Sequence, residues 1–135
     1  MGVNYLAVLA VSVIVFIIGA LWYSPVLFGN LWIRLSKIST KDIAKAKQKS
    51  MIGPMLTTLI STVVTATVFE YLLDILNYTN IYDGIILSLL VWLGFIATSM
   101  LNGVLWENKP MGVYLLNIAH QFVSLAVMGA ILSVW

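Results

Sequence analysis

One stretch of the chain sets chemistry-bearing side chains at helical spacing inside an apolar run. Asn117, His120, Gln121 and Ser124 stand at i, i+3, i+4 and i+7, which is one face of a helix. An imidazole there would serve as a general base, a proton carrier or a metal ligand. The carboxamides and the hydroxyl would orient a ligand by donating and accepting hydrogen bonds. His120 is the one histidine, and cysteine is absent. That excludes thiolate chemistry, disulfides and iron–sulfur ligation. It also falls short of the three or four protein ligands of a zinc site, so no metal and no cofactor is expected. General acid–base catalysis would need a second titratable group within reach of the same substrate. Glu70 and Asp74 instead form their own i, i+4 pair in another part of the chain.

The elements that must position these residues follow from composition. Of 135 residues, 61% are hydrophobic and 9% charged, against about 25% charged in an ordinary soluble domain. The mean hydropathy is +1.03. So few charges cannot cover a water-soluble globule of this size. A soluble enzyme and a nucleic-acid binder are therefore set aside, and the pI near 9.0 is read as topology, not as affinity for nucleic acid. Four apolar runs, at 3–23, 51–76, 83–106 and 111–135, are each long enough to cross a hydrocarbon core that takes about 20 helical residues. The expected fold is a single all-α domain, an integral membrane four-helix bundle. The first run is too long for the apolar region of a signal peptide. Leu27, Phe28, Leu31, Trp32 and Leu35 recur at helical spacing, which predicts a short helix lying in the interface between spans one and two. Ser39 or Thr40 would cap a further short helix.

Arg34, Lys37, Lys41, Lys45, Lys47 and Lys49 crowd the first connection, and Lys109 lies in the third. The positive-inside rule then places both connections in the cytoplasm and both termini outside. Glu70 and Asp74 would sit near the outer surface, reaching headgroups and water or holding a cation. Lys41, Lys45 and Lys49, at i, i+4 and i+8, would dock anionic lipid at about 1 kcal/mol each or simply set topology.

Counting about 1.5 Å per residue from the span ends puts His120 near the middle of the fourth span. Ser12, Thr58, Ser61, Thr62, Thr65, Thr98 and Ser99 fall at a similar level on the other three. Glu70 comes out roughly 13 Å from that level. The expectation is a midplane cluster of His120, Gln121, Asn117, Ser124, Thr62, Thr98 and Ser99. It would be either interhelical hydrogen bonding or a ligand pocket. Leu115, Ala119, Phe122 and Ala126 would face lipid or a neighbouring subunit, and Asn102 would pair with Asn117. Gly94-xxx-Thr98, Ser99-xxx-Gly103 and Ala126-xxx-Ala130 would permit close helix approach within or between copies of a homo-oligomer.

Trp22-Tyr23-Ser24-Pro25 marks the end of the first span, since Trp and Tyr favour the interface and Pro25 restrains Ser24 from helical geometry. Together with Gly19-Ala20-Leu21 before it and Leu27-Phe28-Gly29 after it, this signature resembles a family of small four-span prokaryotic membrane proteins known only as a domain of unknown function. Trp92 to Thr98, Asn117 to His120 and Met128 to Leu132 carry the same resemblance, over essentially the whole chain. It implies a four-helix membrane architecture in a prokaryotic cytoplasmic membrane and supplies no catalytic residues. The function expected is non-enzymatic binding or permeation of a small or lipidic ligand through the polar cluster. The alternative is a membrane-embedded enzyme acting on a lipophilic substrate, with His120 as general base.

Overall fold

Residues 3–135 are described by the computed structural model, and every regular element among them is helical. The order is α1 (Tyr5–Trp22), α2 (Gly29–Ser36), α3 (Thr40–Gln48), α4 (Ile52–Ile75), α5 (Ile81–Val91), a π-wound turn (Trp92–Ala97), α6 (Thr98–Trp106) and α7 (Met111–Val134). The segment Ile81–Trp106 is one continuous helix, so four helices are long and apolar enough to cross a membrane. Local chemistry sets their ends. The Asn4 side chain accepts from Ala7 N, Ser39 from Asp42 N and Asn80 from Asp83 N, each satisfying an orphan donor of a first turn. At the other end of α4, Asn77 adopts φ 55°. Tyr78 N then donates to Leu73 O and Asn77 N to Asp74 O, a Schellman closure.

α7 is the central helix, packing against α1, α2, α4, α5 and α6. Its crossing with α5 is the closest. A Cβ built on Gly84 would overlap the Gly129 carbonyl oxygen, and one on Gly129 would overlap that of Gly84. Ser88, fully buried, donates across this crossing to Leu125 O at 2.7 Å. Within the chain this close approach is made by Gly84 and Gly129, a pair outside the Gly94-xxx-Thr98, Ser99-xxx-Gly103 and Ala126-xxx-Ala130 spacings. A Cβ on Gly94 would meet nothing. The π turn is held by two bonds to α7. The Trp92 indole donates to Ile118 O at 2.7 Å, and Tyr114 OH donates to Ala97 O at 2.6 Å. Phe122, expected to face lipid, meets the Trp92 ring edge to face at 5.2 Å. Ala119 and Ala126 are half-buried, while Leu115 is exposed.

The core is lopsided. One end of the bundle carries Glu70, Asp74 and Asp83; the other carries all seven basic residues. The closely packed cluster comprises Ala7, Val8, Val11, Val15, Ala66, Phe69, Leu73, Leu87, Leu125, Met128 and Leu132, which occupy the acidic half of each helix. Toward the basic end α4 has no buried residue before Ala66, and clefts open between the helices there.

The first long helix also stops early. α1 has 18 residues and α7 has 24, about 27 Å against 36 Å. Gly19 lies against His120, since a Cβ there would come within 3.2 Å of His120 Nε2. α1 thus stops beside the middle of α7. Residues 23–28 make a compact turn, closed by Phe28 N to Trp22 O at 2.9 Å and Gly29 N to Ser24 O at 2.8 Å. α2 then runs down the first turns of α7. Gly29, Trp32 and Ile33 share a groove with Asn117 and Gln121, while Leu35 reaches Gly112. The Trp-Tyr-Ser-Pro signature ends α1 as expected, and the short helix expected after it is α2, which packs along α7.

Candidate functional site

His120 and Gln121 sit where α1 ends and α4 diverges from α7. His120 is half-buried, with Trp22 at 5.8 Å and Tyr23 at 5.2 Å between ring centroids. Trp22 also packs on Phe28 at 4.6 Å. The ring nitrogen Nε2 lies 3.3 Å from Ser124 Oγ, one turn further along α7.

Two connected clefts meet at this histidine. The one between α1 and α4 measures about 490 Å³ and is walled by Val15, Phe16, Met51, Pro54 and Met55, with Thr58, Thr62 and His120 at its polar end. The one between α4 and α7 measures about 260 Å³ and faces the stripe Thr57, Thr58, Ser61, Thr62 and Thr65 toward His120, Gln121 and Ser124. Thr57, Thr62 and Thr65 donate to the carbonyls of Gly53, Thr58 and Ser61 in their own helix. Their donors are thereby used, and each hydroxyl oxygen keeps acceptor capacity. The interhelical hydrogen bonds expected from these threonines to His120 do not form. The residues line a space instead, because α4 stands away from α7 at this end.

Several sequence-selected residues fall outside this site. Ser12 is fully buried and bonds to Val8 O within the acidic half. Thr98 is exposed and donates to Gly94 O. Ser99 lines a different cavity of about 170 Å³, together with Asn102, Glu107, Lys109 and Asn117. Asn117 Oδ1 accepts from Tyr23 OH at 2.7 Å, so the partner expected of Asn102 is supplied by the signature turn. Glu70 Oε2 accepts from Asn4 N at 3.1 Å, a carboxylate at the start of α1 where the helix dipole favours it. With Asp74, Asn77, Tyr78 and Ser133 it lines a cavity of about 170 Å³ at the acidic end. Lys41, Lys45 and Lys49 are exposed, but α3 ends at Gln48 and Lys49 is extended. The expected three-lysine stripe is therefore a helical pair plus one lysine at the C-cap. Sequence reading offered a pocket at this level as one of two alternatives, and missed its apolar wall between α1 and α4 and the part played by Tyr23. The chain interruption at Ser24-Pro25, so close in length to Trp22, was the available signal.

The Tyr23–Asn117 bond ties the broken turn to α7. Tyr23→Phe removes one neutral hydrogen bond at a partly exposed site, so a loss of about 1 kcal/mol is expected. Thermal unfolding in detergent reads it, and unchanged stability would mean that the turn is held by packing alone.

Chemically, the arrangement offers one imidazole, one buried serine and several hydroxyl acceptors against an apolar wall. Among the described residues, no group of three or more acidic or histidine side chains assembles that would hold a metal ion. A nucleophilic serine would want its base at about 2.6–3.2 Å and a third group orienting that base. Ser124 and His120 are at 3.3 Å, on the same helix.

These features define an all-α bundle of four helices long and apolar enough to cross a membrane, with a cleft at the basic end and a closed core at the other. The chain belongs to the family described as protein of unknown function (DUF1761), whose model matches residues 6–133. No curated protein and no solved structure matches it.

Proposed function

We propose that the protein is a non-enzymatic integral membrane protein that takes a small amphipathic or lipidic ligand into the cleft between α1, α4 and α7. The observation that carries this reading is the division of that cleft. Its mouth between α1 and α4 is apolar, through Phe16, Met51, Pro54 and Met55. Its inner wall presents His120, Gln121 and the threonine stripe. An acyl chain or ring would gain by covering the first surface, and a hydroxyl or amide head by bonding to the second. The closed half beyond Met128 stops the ligand there, which favours binding over free permeation. In this reading the basic segment faces the cytoplasm by the positive-inside rule, and Lys41 and Lys45 draw the α3 face to anionic headgroups.

The absence of native cysteine makes the test direct. Single-cysteine variants Lys45→Cys, Thr79→Cys and Thr62→Cys are treated in sealed vesicles with a charged thiol reagent. The 45 and 62 sites are expected to react from the cytoplasmic side, and the 79 site from the other. Bound native lipid, read by mass spectrometry in mild detergent, is expected to be lost in His120→Leu. A Thr62→Cys that is inert from both sides, or reacts from the side of residue 79, would overturn the reading.

A further inference from the structure

A second groove lies on the other side of the Tyr23 ring, and its lining differs in kind. It measures about 560 Å³, is open to the exterior of the bundle, and is formed by Tyr23, Gly29, Trp32, Ile33, Met100, Asn117 and Gln121. No charged side chain lines it. Tyr23 and Trp32 meet edge to face, with centroids 6.5 Å apart and planes at 81°. They make a corner in which a flat ring stacks on one aromatic face and meets the edge of the other, the two arrangements aromatic pairs prefer. Asn117 and Gln121 are one turn apart on α7, so both carboxamides reach the same groove. Asn117 Oδ1 is engaged by Tyr23 OH, which leaves its NH₂ as a donor. The Gln121 amide makes no hydrogen bond with any described residue and offers donors and an acceptor. The groove thus offers amide donors of Asn117 and Gln121 to acceptor oxygens at the edge of a flat ring.

We infer that this groove binds a lipid-soluble, uncharged, flat ring bearing carbonyl oxygens, the chemistry of a quinone. Tyr23 and Trp32 take the ring, and the amides of Asn117 and Gln121 donate to its carbonyls. The missing charge argues for a neutral ligand, because an ion unpaired in an apolar setting is costly. The position of the groove on the flank, level with the middle of α7, means that a ligand dissolved in the bilayer reaches it laterally. The inference goes beyond the cleft proposed above: the groove shares Tyr23 and Gln121 with that cleft as lining residues, while Trp32 belongs to the groove alone, and the Thr62→Cys labelling tests the cleft independently.

The experiment uses the full-length protein in lipid nanodiscs and menadione as the probe, with tryptophan fluorescence as the readout. Menadione is expected to quench saturably above the linear background of partitioning. Gln121→Met, which keeps side-chain length and loses the amide, is expected to weaken binding about five- to tenfold, one hydrogen bond's worth. Its unfolding temperature should stay unchanged. Trp32→Leu is expected to weaken binding as well, and serves if Gln121→Met fails to fold. The aromatic cation tetraphenylphosphonium is expected not to compete. Linear quenching only, equal affinity in the folded Gln121→Met or Trp32→Leu variant, or displacement by the cation would each overturn the inference. Such a result alongside intact Thr62→Cys labelling would count against this groove alone.

Discussion

Gly129→Ala is expected to be the most damaging small substitution in the protein, costing about 3 kcal/mol, the upper part of the range for overpacking. A Cβ on Gly129 would overlap the Gly84 carbonyl oxygen and press on Ser88 Oγ. Backbone carbonyls cannot swing aside as a side-chain end can, so α5 and α7 must separate. Separation also strains the bond from the fully buried Ser88 Oγ to Leu125 O, and a buried polar group left without its bond is costly. Gly94→Ala is the control, since a Cβ there meets nothing within 4 Å. It is expected to be neutral or to gain up to about 1 kcal/mol, because alanine loses less backbone entropy than glycine in a helix. Thermal unfolding in detergent, followed by helical circular dichroism, compares the two. Equal unfolding temperatures would show that the crossing is looser than described.

The second large effect belongs to Met128→Ala. Met128 is 1% exposed and lies in the cluster with Val8, Val11, Phe69 and Leu73. Truncation in a closed core costs about 2–5 kcal/mol, depending on how far the site collapses. Met55, 46% exposed on the wall of the α1–α4 cleft, is the matched test of the open half. Met55→Ala should change stability by no more than about 0.5 kcal/mol, as for surface sites without special roles. Similar losses from both substitutions would mean that the two halves are equally packed, which would remove the physical basis of the cleft.

Much of the architecture was legible from run length and spacing. Four apolar segments already imply four long helices, the short second and third connections imply antiparallel neighbours there, and the structure places its long helices within a few residues of the expected bounds. Ser39 does cap the short basic helix. Asn117, His120, Gln121 and Ser124 do share one side of α7, since a 3.6-residue period requires it. What that side meets was not legible. Periodicity assigns residues to a face and says nothing of how a neighbouring helix is rotated, how far it is displaced along its axis, or whether it stays in contact. Asn102 and Tyr23 were both within reach of Asn117 by depth. The choice fell to Tyr23 because α1 ends beside α7 instead of continuing past it.

By itself, then, the sequence determined the membrane-like exterior, the number of long apolar helices, the Ser39 cap of the short basic helix and the polar face of the last helix. Each of these follows from hydrophobic content, helical rise or a local hydrogen bond. The tertiary structure alone decided the close pairing of Gly84 with Gly129, the seating of the turn after Trp22 beside His120 and the divergence of α4 that leaves its threonines facing His120 across a cleft. The physical reason is that helix stagger and splay are set by the sum of many weak contacts between distant segments. In this chain those contacts are concentrated at the acidic end, around Phe69, Leu125 and Met128, and the basic end is left open by what remains.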